Sequence, residues 1–442
     1  MTKQKNIMVD MSATLIHHGH IRLLKKSSKL GRVIVGLTTD DEIQARKGYK
    51  PEIPYEYRKE MLEAFKYVDK VVPTPWLINE AILSKYNIDL LVHGSDHSND
   101  IPNNKLKLFP RTKNISSSGI RDVILDSIAQ INNQKLMLTP GPAVVLYENL
   151  KYLKPLFGRG DTEYEKMYEQ VIKWIKKHSG QDEVISMQGS ATLALEIALK
   201  SFVSGKVLLI SSGYYSDRLE KLLPINCILT KCGYDEINSI KSDFDWVLCA
   251  YTETSTAFKL DLKYVKYRTD KLGAKLFVDA TGSIGLESHH ELADIMAFSS
   301  CKGLFGLTGA AFIAYKIKPQ NKVKSFYMDI NTHIEKKLTG PYHTMGSLYY
   351  VLKKYKKFKE AVKKNKKKFL QDNKKFLVYP IENQPLLCTY SKKKYYNNRG
   401  NVIIYESRKK IEGSVVSHLG ETYLKNNAKG SIQKNLLTRN EK

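Results

Sequence analysis

Three observations predict an α/β protein of two successive domains. Apolar runs of strand length alternate with segments of helical periodicity along most of the chain, the pattern of a doubly wound parallel sheet with helices on both faces. The chain has 442 residues, more than one ordinary domain holds. The alternation also restarts after a polar connection, Asn132-Asn133-Gln134. That places the boundary near residue 133, with domains over 1–133 and 134–442.

Taken in order, Asn6 to Asp10 reads as the first strand and His20 to Leu30 as its helix. Arg32 to Thr38 is a continuous apolar run, as in a central parallel strand. Tyr57 to Phe65 and Ile78 to Tyr86 read as helices, and Lys70 to Val72, Asp89 to Gly94 and Lys105 to Phe109 as strands. Asp122 to Gln134 reads as the closing helix. In the second domain the apolar runs are Val184 to Met187, Val207 to Ile210, Trp246 to Ala250, Leu276 to Ala280 and Ile295 to Ser299. From Asn426 the sequence is polar and reads as a frayed tail.

Composition narrows the function classes. Hydrophobic residues make up 42% of the chain, enough for full cores, yet no run of 18 apolar residues would span a membrane. No signal-peptide core is visible at the start, and the five cysteines show no C-x-x-C spacing. Free thiols in a reducing cytoplasm are the expectation. The net charge of +26 raises nucleic acid as a partner. However, much of the excess lies in Lys353 to Lys368, where apolar residues recur at helical spacing, and no zinc, RRM or helix-turn-helix pattern accompanies it. A solvated helix face explains it, and the field would steer small anions.

The chemistry concentrates in two constellations. His17-His18-Gly19-His20 follows the first strand, so two imidazoles and free backbone N–H groups meet at a helix start, where anions bind. Ile115-Ser116-Ser117-Ser118-Gly119-Ile120-Arg121 adds three hydroxyls and a guanidinium ahead of another helix. With Gly94-x-Asp96, both should converge at the carboxyl ends of the strands.

From Asn6 to Arg121 these motifs, with Lys47-Gly48, Pro54 to Arg58 and Pro110-Arg111-Thr112, resemble the nucleotidylyltransferase superfamily, specifically the cytidylyltransferases acting on glycerol phosphate, phosphocholine and phosphonates. The resemblance implies a Rossmann-like domain that takes CTP with Mg²⁺. His17 and His20 would face the α- and β-phosphates, and Ser116, Ser117, Ser118 and Arg121 the β- and γ-phosphates. Lys47 and Arg111 would clamp the substrate's anionic head and the triphosphate; Arg58 and Asp96 would lie near the nucleotide or, as an equal alternative, form structural ion pairs. Where the family often has Gly-Thr-Phe-Asp, this chain has Met11-Ser12-Ala13-Thr14. The lost Asp leaves the metal ligands unassigned and points away from glycerol phosphate.

The second constellation comprises Thr139-Pro140-Gly141-Pro142, Gly189-Ser190-Ala191-Thr192, Tyr215, Tyr251 to Thr256, Asp279 and Lys302. A pyridoxal phosphate site needs a reactive lysine, a carboxylate for the pyridinium nitrogen and a helix N-terminus for the phosphate. Lys302, Asp279 and Gly189-Ser190-Ala191 suit these roles, and Tyr215 is suited to stack on the ring. Their order resembles class V aminotransferases of fold type I, particularly 2-aminoethylphosphonate–pyruvate transaminases, over Leu136 to Glu421. The resemblance implies pyridoxal 5'-phosphate, with Thr254 near it. It also implies an amino-acid donor and a homodimer in which Thr344 reaches the partner's cofactor phosphate. The small domain, shortened around Tyr379 to Tyr405, has Val415 where the family carries a substrate-gripping arginine. Arg159, Arg408 or His418 would replace it, or the amino substrate differs.

The combined expectation is consecutive amination and CTP activation of 2-aminoethylphosphonate. The alternatives are serinol phosphate or ethanolamine phosphate in the same two reactions, a second domain serving only as a dimerisation scaffold, and nucleic acid on the basic surface.

Overall fold

The computed structural model describes residues 4–95, 98–132, 136–150, 153–336, 338–397, 402–420 and 436–438. They form two compact units, Met1–Ile128 and Ala129–Lys442.

The first unit runs β1 (Asn6–Met11), α1 (His18–Ser27), β2 (Arg32–Thr38), α2 (Asp40–Lys47), α3 (Tyr55–Glu63), β3 (Lys70–Thr74), α4 (Glu80–Lys85), β4 (Leu90–Gly94), β5 (Leu106–Phe109) and α5 (Ser117–Asn132), the last crossing into the second unit. The sheet order is β3-β2-β1-β4-β5, and every pairing is parallel. Ile7, Met8 and Val9 of β1 are fully buried, as a central strand requires. The chain winds outward from β1 to β2 and β3, then returns to place β4 and β5 on the other side. The order therefore reverses at β1 and β4, and a crevice opens at their carboxyl ends. Helix α2 escaped the sequence reading because it buries only Ile43 and so carries no apolar stripe. Helix α5 starts at Ser117 rather than Asp122, which puts Ser117, Ser118 and Arg121 inside the helix.

The second unit contains β6 (Leu136–Leu138), α6 (Tyr147–Leu150), α7 (Thr162–Ser179), β7 (Glu183–Gln188), α8 (Ala191–Phe202), β8 (Lys206–Ser211), α9 (Tyr214–Leu222), β9 (Ile228–Gly233), β10 (Trp246–Ala250), β11 (Thr252–Glu253), β12 (Phe258–Lys259), α10 (Leu262–Lys271), β13 (Lys275–Asp279), β14 (Ile295–Ser299) and β15 (Ala310–Tyr315). Its seven-stranded sheet has the order β7-β15-β14-β13-β10-β8-β9. It is not wholly parallel: β15 runs antiparallel to both β14 and β7. The apolar run of β15, whose six residues are all buried, adds a strand beyond those expected from the sequence.

Beyond the sheet lie α11 (Ile330–Glu335), α12 (Tyr342–Lys353), α13 (Tyr355–Asn373), β16 (Cys388–Ser391), β17 (Tyr395–Asn397), β18 (Val402–Ile404), β19 (Ser414–Ser417) and β20 (Leu436–Thr438). The lysine-rich stretch is α13, which buries Phe358, Val362 and Phe369 and turns most of its lysines outward. The tail is not wholly frayed, because β20 pairs with β17. All five cysteines are free. Among the described residues no helix is long and apolar enough to cross a membrane.

Candidate active sites

In the first unit the turn between β1 and α1 is built by its own histidines. His17 caps α1, its Nδ1 accepting the Gly19 N–H at 3.1 Å, and His20 Nδ1 accepts the His17 N–H at 3.3 Å. A ring nitrogen that accepts carries no proton, so each neutral ring keeps its proton on Nε2. The rings stack with centroids 3.9 Å apart. Burial, then the neighbouring His17, pulls the His20 pKa down to about 3, and burial followed by His18 lowers that of His17. At neutral pH the pair therefore offers two neutral N–H donors. Gly19 is required there, since a Cβ would lie 2.9 Å from the His17 ring.

A cavity of about 250 Å³ opens beside this turn. It is lined by His17, His20, Lys47, Arg111, Ser116, Ser117, Ser118 and Arg121, so the structure brings eight of the expected residues together. Arg22, Lys26, His93 and Asp10 also line it and had no sequence signal beyond their charge. Arg22, Lys26, Lys47, Arg111 and Arg121 face one lining carboxylate, Asp10. Such a surface, with two helix starts, suits a polyanion. Asp10 is buried, accepts from Asn99 Nδ2 at 2.9 Å and lies 3.7 Å from His93 Nε2. Burial raises its pKa, against the lowering effects of Asn99 and His93.

Two expectations change. Arg58 does not line the cavity: it is fully buried and donates to the backbone oxygens of Ile53, Ser12 and Thr38 and to Asp40 Oδ1. It locks the segment behind the site. Arg121 carries a partner that the sequence concealed, pairing with the Glu52 carboxylate and donating to Thr14 Oγ1 at 3.0 Å. Thr14, which the resemblance sets where the family has aspartate, thus touches the guanidinium. Asp96 lies outside the described residues.

In the second unit the carboxyl ends of the parallel strands carry the other set. Asp279 ends β13, Lys302 follows β14, Tyr215 opens α9 after β8, and Gly189 and Ser190 lead from β7 into α8. Lys302 Nζ lies 5.2 Å from the Tyr215 ring centroid and 3.5 Å from Thr254 Oγ1. Its stem packs on Gly141, where a Cβ would fall 2.7 Å from Lys302 Cε. Ser190 does not cap α8 with its side chain, so the first-turn amides lack the usual side-chain acceptor. Thr344 Oγ1 donates to the Thr308 carbonyl at 3.1 Å.

Sequence reasoning missed two residues here. Arg218 bridges the set, donating to Asp279 Oδ2 at 2.9 Å and to Thr192 Oγ1 at 2.8 Å, with its guanidinium 5.2 Å from the Tyr215 ring. Glu253, fully buried, accepts from the amides of Tyr215, Ser216 and Ser255 and so fixes the start of α9. The pairing Tyr-Ser-Asp-Arg and the Glu of Thr-Glu-Thr were visible signals without an assigned partner. Arg218 Nε and the hydroxyls of Thr252 and Thr281 are buried without a hydrogen-bond partner among the described residues. Buried orphans of this kind suit a cleft that a polar ligand completes, and the set fits pyridoxal phosphate.

Val415, which the resemblance sets at the family's arginine position, is fully buried in β19 opposite Tyr390. His418 cannot replace that arginine. It is fully buried, its Nε2 lies 2.9 Å from Thr389 Oγ1, and burial holds its pKa down at about 3.

The family described as Cytidylyltransferase-like matches residues 13–123. Glycerol-3-phosphate cytidylyltransferase of Bacillus subtilis is 33% identical over 125 residues, 27% of this chain and 97% of that protein. A 2-aminoethylphosphonate–pyruvate transaminase of Pseudomonas aeruginosa is 25% identical over 251 residues, 50% of this chain and 68% of the relative. The solved aspartate aminotransferase of Thermus thermophilus shares the fold, with a TM-score of 0.57 at 18% identity over 64% of this chain and 93% of that one. The chain therefore belongs, through its first domain, to the cytidylyltransferase-like family, and it is a nucleotidyltransferase joined to a domain homologous to aminotransferases.

Proposed function

We propose that the chain makes an aminophosphonate in its second domain and activates it in its first. The second would move an amino group from an amino-acid donor, which leaves as its keto acid, to phosphonoacetaldehyde, giving 2-aminoethylphosphonate. The first would join that product to the CMP moiety of CTP, giving CMP-2-aminoethylphosphonate and pyrophosphate. One observation carries the reading: each domain holds a chemically distinct constellation, His17 with His20 in a cationic cavity and Lys302 with Asp279 across Tyr215.

In the first reaction a phosphonate oxygen attacks the α-phosphorus of CTP and pyrophosphate departs, so the protein mainly positions and neutralises charge. The two Nε2–H donors stabilise the charge that develops on the phosphate oxygens. Ser116, Ser117, Ser118, Arg111 and Arg121 hold the triphosphate, and Lys47 the acceptor's anion. Among the described residues no cluster of three or more His, Cys, Asp or Glu is placed to hold a metal, so Mg²⁺ would enter on the triphosphate.

In the second, pyridoxal phosphate supplies an electron sink for moving an amino group. Asp279 would hold the pyridine nitrogen protonated, the α8 amides would take the phosphate, Tyr215 would stack on the ring, and Lys302 would anchor the cofactor and move the substrate's proton. A homodimer through this domain would let Thr344 reach the partner's cofactor phosphate. A reducing cytoplasm suits the five thiols. Burial of Val415 favours a second reading, a different amino phosphate such as ethanolamine phosphate or serinol phosphate in the same reactions. The deciding experiment is pyrophosphate release from CTP with each acceptor. A kcat/KM highest for 2-aminoethylphosphonate supports the first reading, and a preference for an amino phosphate replaces it.

A further inference from the structure

We propose that Arg408 binds the anionic head group of the amino substrate at the mouth of the second site; the inference rests on the transaminase reading above. Two other cations close to the ring stack are committed. Lys302 would be taken up by the cofactor, and Arg218 is held by Asp279 and Thr192. Arg408 differs. Its guanidinium is exposed, lies 5.2 Å from the Tyr214 ring centroid and donates through Nη1 to the Tyr214 hydroxyl at 3.0 Å. The Tyr214 ring meets the Tyr215 ring edge-on at 5.2 Å, and Tyr215 in turn lies 5.2 Å from Lys302 Nζ.

The arginine is also held in register with that stack. Ser407 Oγ donates to the Ser255 carbonyl at 2.6 Å, and Ser255 Oγ accepts the Tyr214 N–H at 3.1 Å. The Glu253 carboxylate that organises this turn also fixes the start of α9. The segment carrying Arg408 is thus tied to the element that supplies both tyrosines.

No carboxylate of the described residues pairs with Arg408, and its hydrogen-bond partner is a neutral phenol. That phenol's pKa is lowered, first by the hydrogen bond from Arg408 and then by its charge. Four of the five guanidinium N–H donors remain for a ligand, enough for a two-point contact with a carboxylate or phosphonate. His418, an alternative named from the sequence, is buried and neutral.

The test uses the full-length protein loaded with pyridoxal phosphate. The change in its visible absorbance on titration with 2-aminoethylphosphonate reports the second site alone. Arg408→Ala should raise the apparent Kd and the KM about 30-fold, the scale of a hydrogen bond to a charged group. Arg408→Lys should recover part of the loss. Binding of n-propylamine, which lacks the anion, should be unchanged, as should the visible spectrum before titration. Unchanged affinity for 2-aminoethylphosphonate, or an equal loss for the neutral amine, would overturn the assignment. A wild-type protein that takes up no pyridoxal phosphate would instead overturn the transaminase reading, before any variant is made.

Discussion

Replacing His17 by asparagine separates the two tasks that this side chain performs. In the structure His17 Nδ1 caps α1 through the Gly19 N–H, while its Nε2–H remains for a ligand. Asparagine is among the best N-cap residues and would keep the first contact. It has no donor at the reach of Nε2. Losing one donor to a developing oxyanion costs roughly a hundredfold to a thousandfold in rate, whereas losing the cap costs about 1 kcal/mol of stability. His17→Asn should therefore unfold in urea close to wild type while cytidylyl transfer falls at least about a hundredfold. His17→Ala should lose both. The assay is pyrophosphate release from CTP with saturating acceptor, across pH.

The pH profile adds an independent check. Both rings are held neutral, His20 with a pKa near 3 because of burial. Raising the pH from 6 to 8 leaves His20 neutral and moves His17 only toward its neutral form, so the histidines contribute no fall in rate. Were the imidazolium the active form, the rate would drop about tenfold per unit above its ordinary pKa of roughly 6.5. A His17→Asn variant as fast as wild type, or that tenfold decline traced to these residues, would refute the neutral-donor account.

Three further outcomes are expected. Lys302→Ala should abolish amination and the borohydride-trapped pyridoxal adduct on that residue, yet leave CTP-dependent activation of ready-made 2-aminoethylphosphonate largely intact; an adduct mapped to another lysine would reject the assignment. The protein should sediment as a dimer at micromolar concentration, and a fully active monomeric transaminase would remove Thr344 from the site. His290 and His418 are both buried, which holds their pKa values down to about 4 and about 3. The unfolded chain therefore binds protons that the folded one refuses. Stability is full above about pH 6.5 and falls below it, by about 2 kcal/mol per histidine at pH 5; a melting temperature that rises as the pH drops from 7 to 5 would contradict this.

The sequence by itself determined what depends on near neighbours. Period-two and period-3.6 patterns marked most strands and helices, because burial of one face is written into consecutive residues. Strand-to-helix turns carrying His-x-Gly-His or Gly-Ser-Ala-Thr were legible for the same reason: the cap, the free amides and the ligand groups lie within a few positions of one another. Only the tertiary structure decided which charges meet. Arg58 draws on Asp40, 18 positions away, and on three backbone oxygens, which decides for the structural ion pair over the nucleotide contact that the sequence left equally open. Arg121 finds Glu52 across 69 positions and Arg218 finds Asp279 across 61. Arginine side chains are long and their partners are fixed by sheet order, so local pattern says nothing about them. The protonation of His20 and His418 belongs to the same class, because desolvation comes from the whole shell packed around a ring.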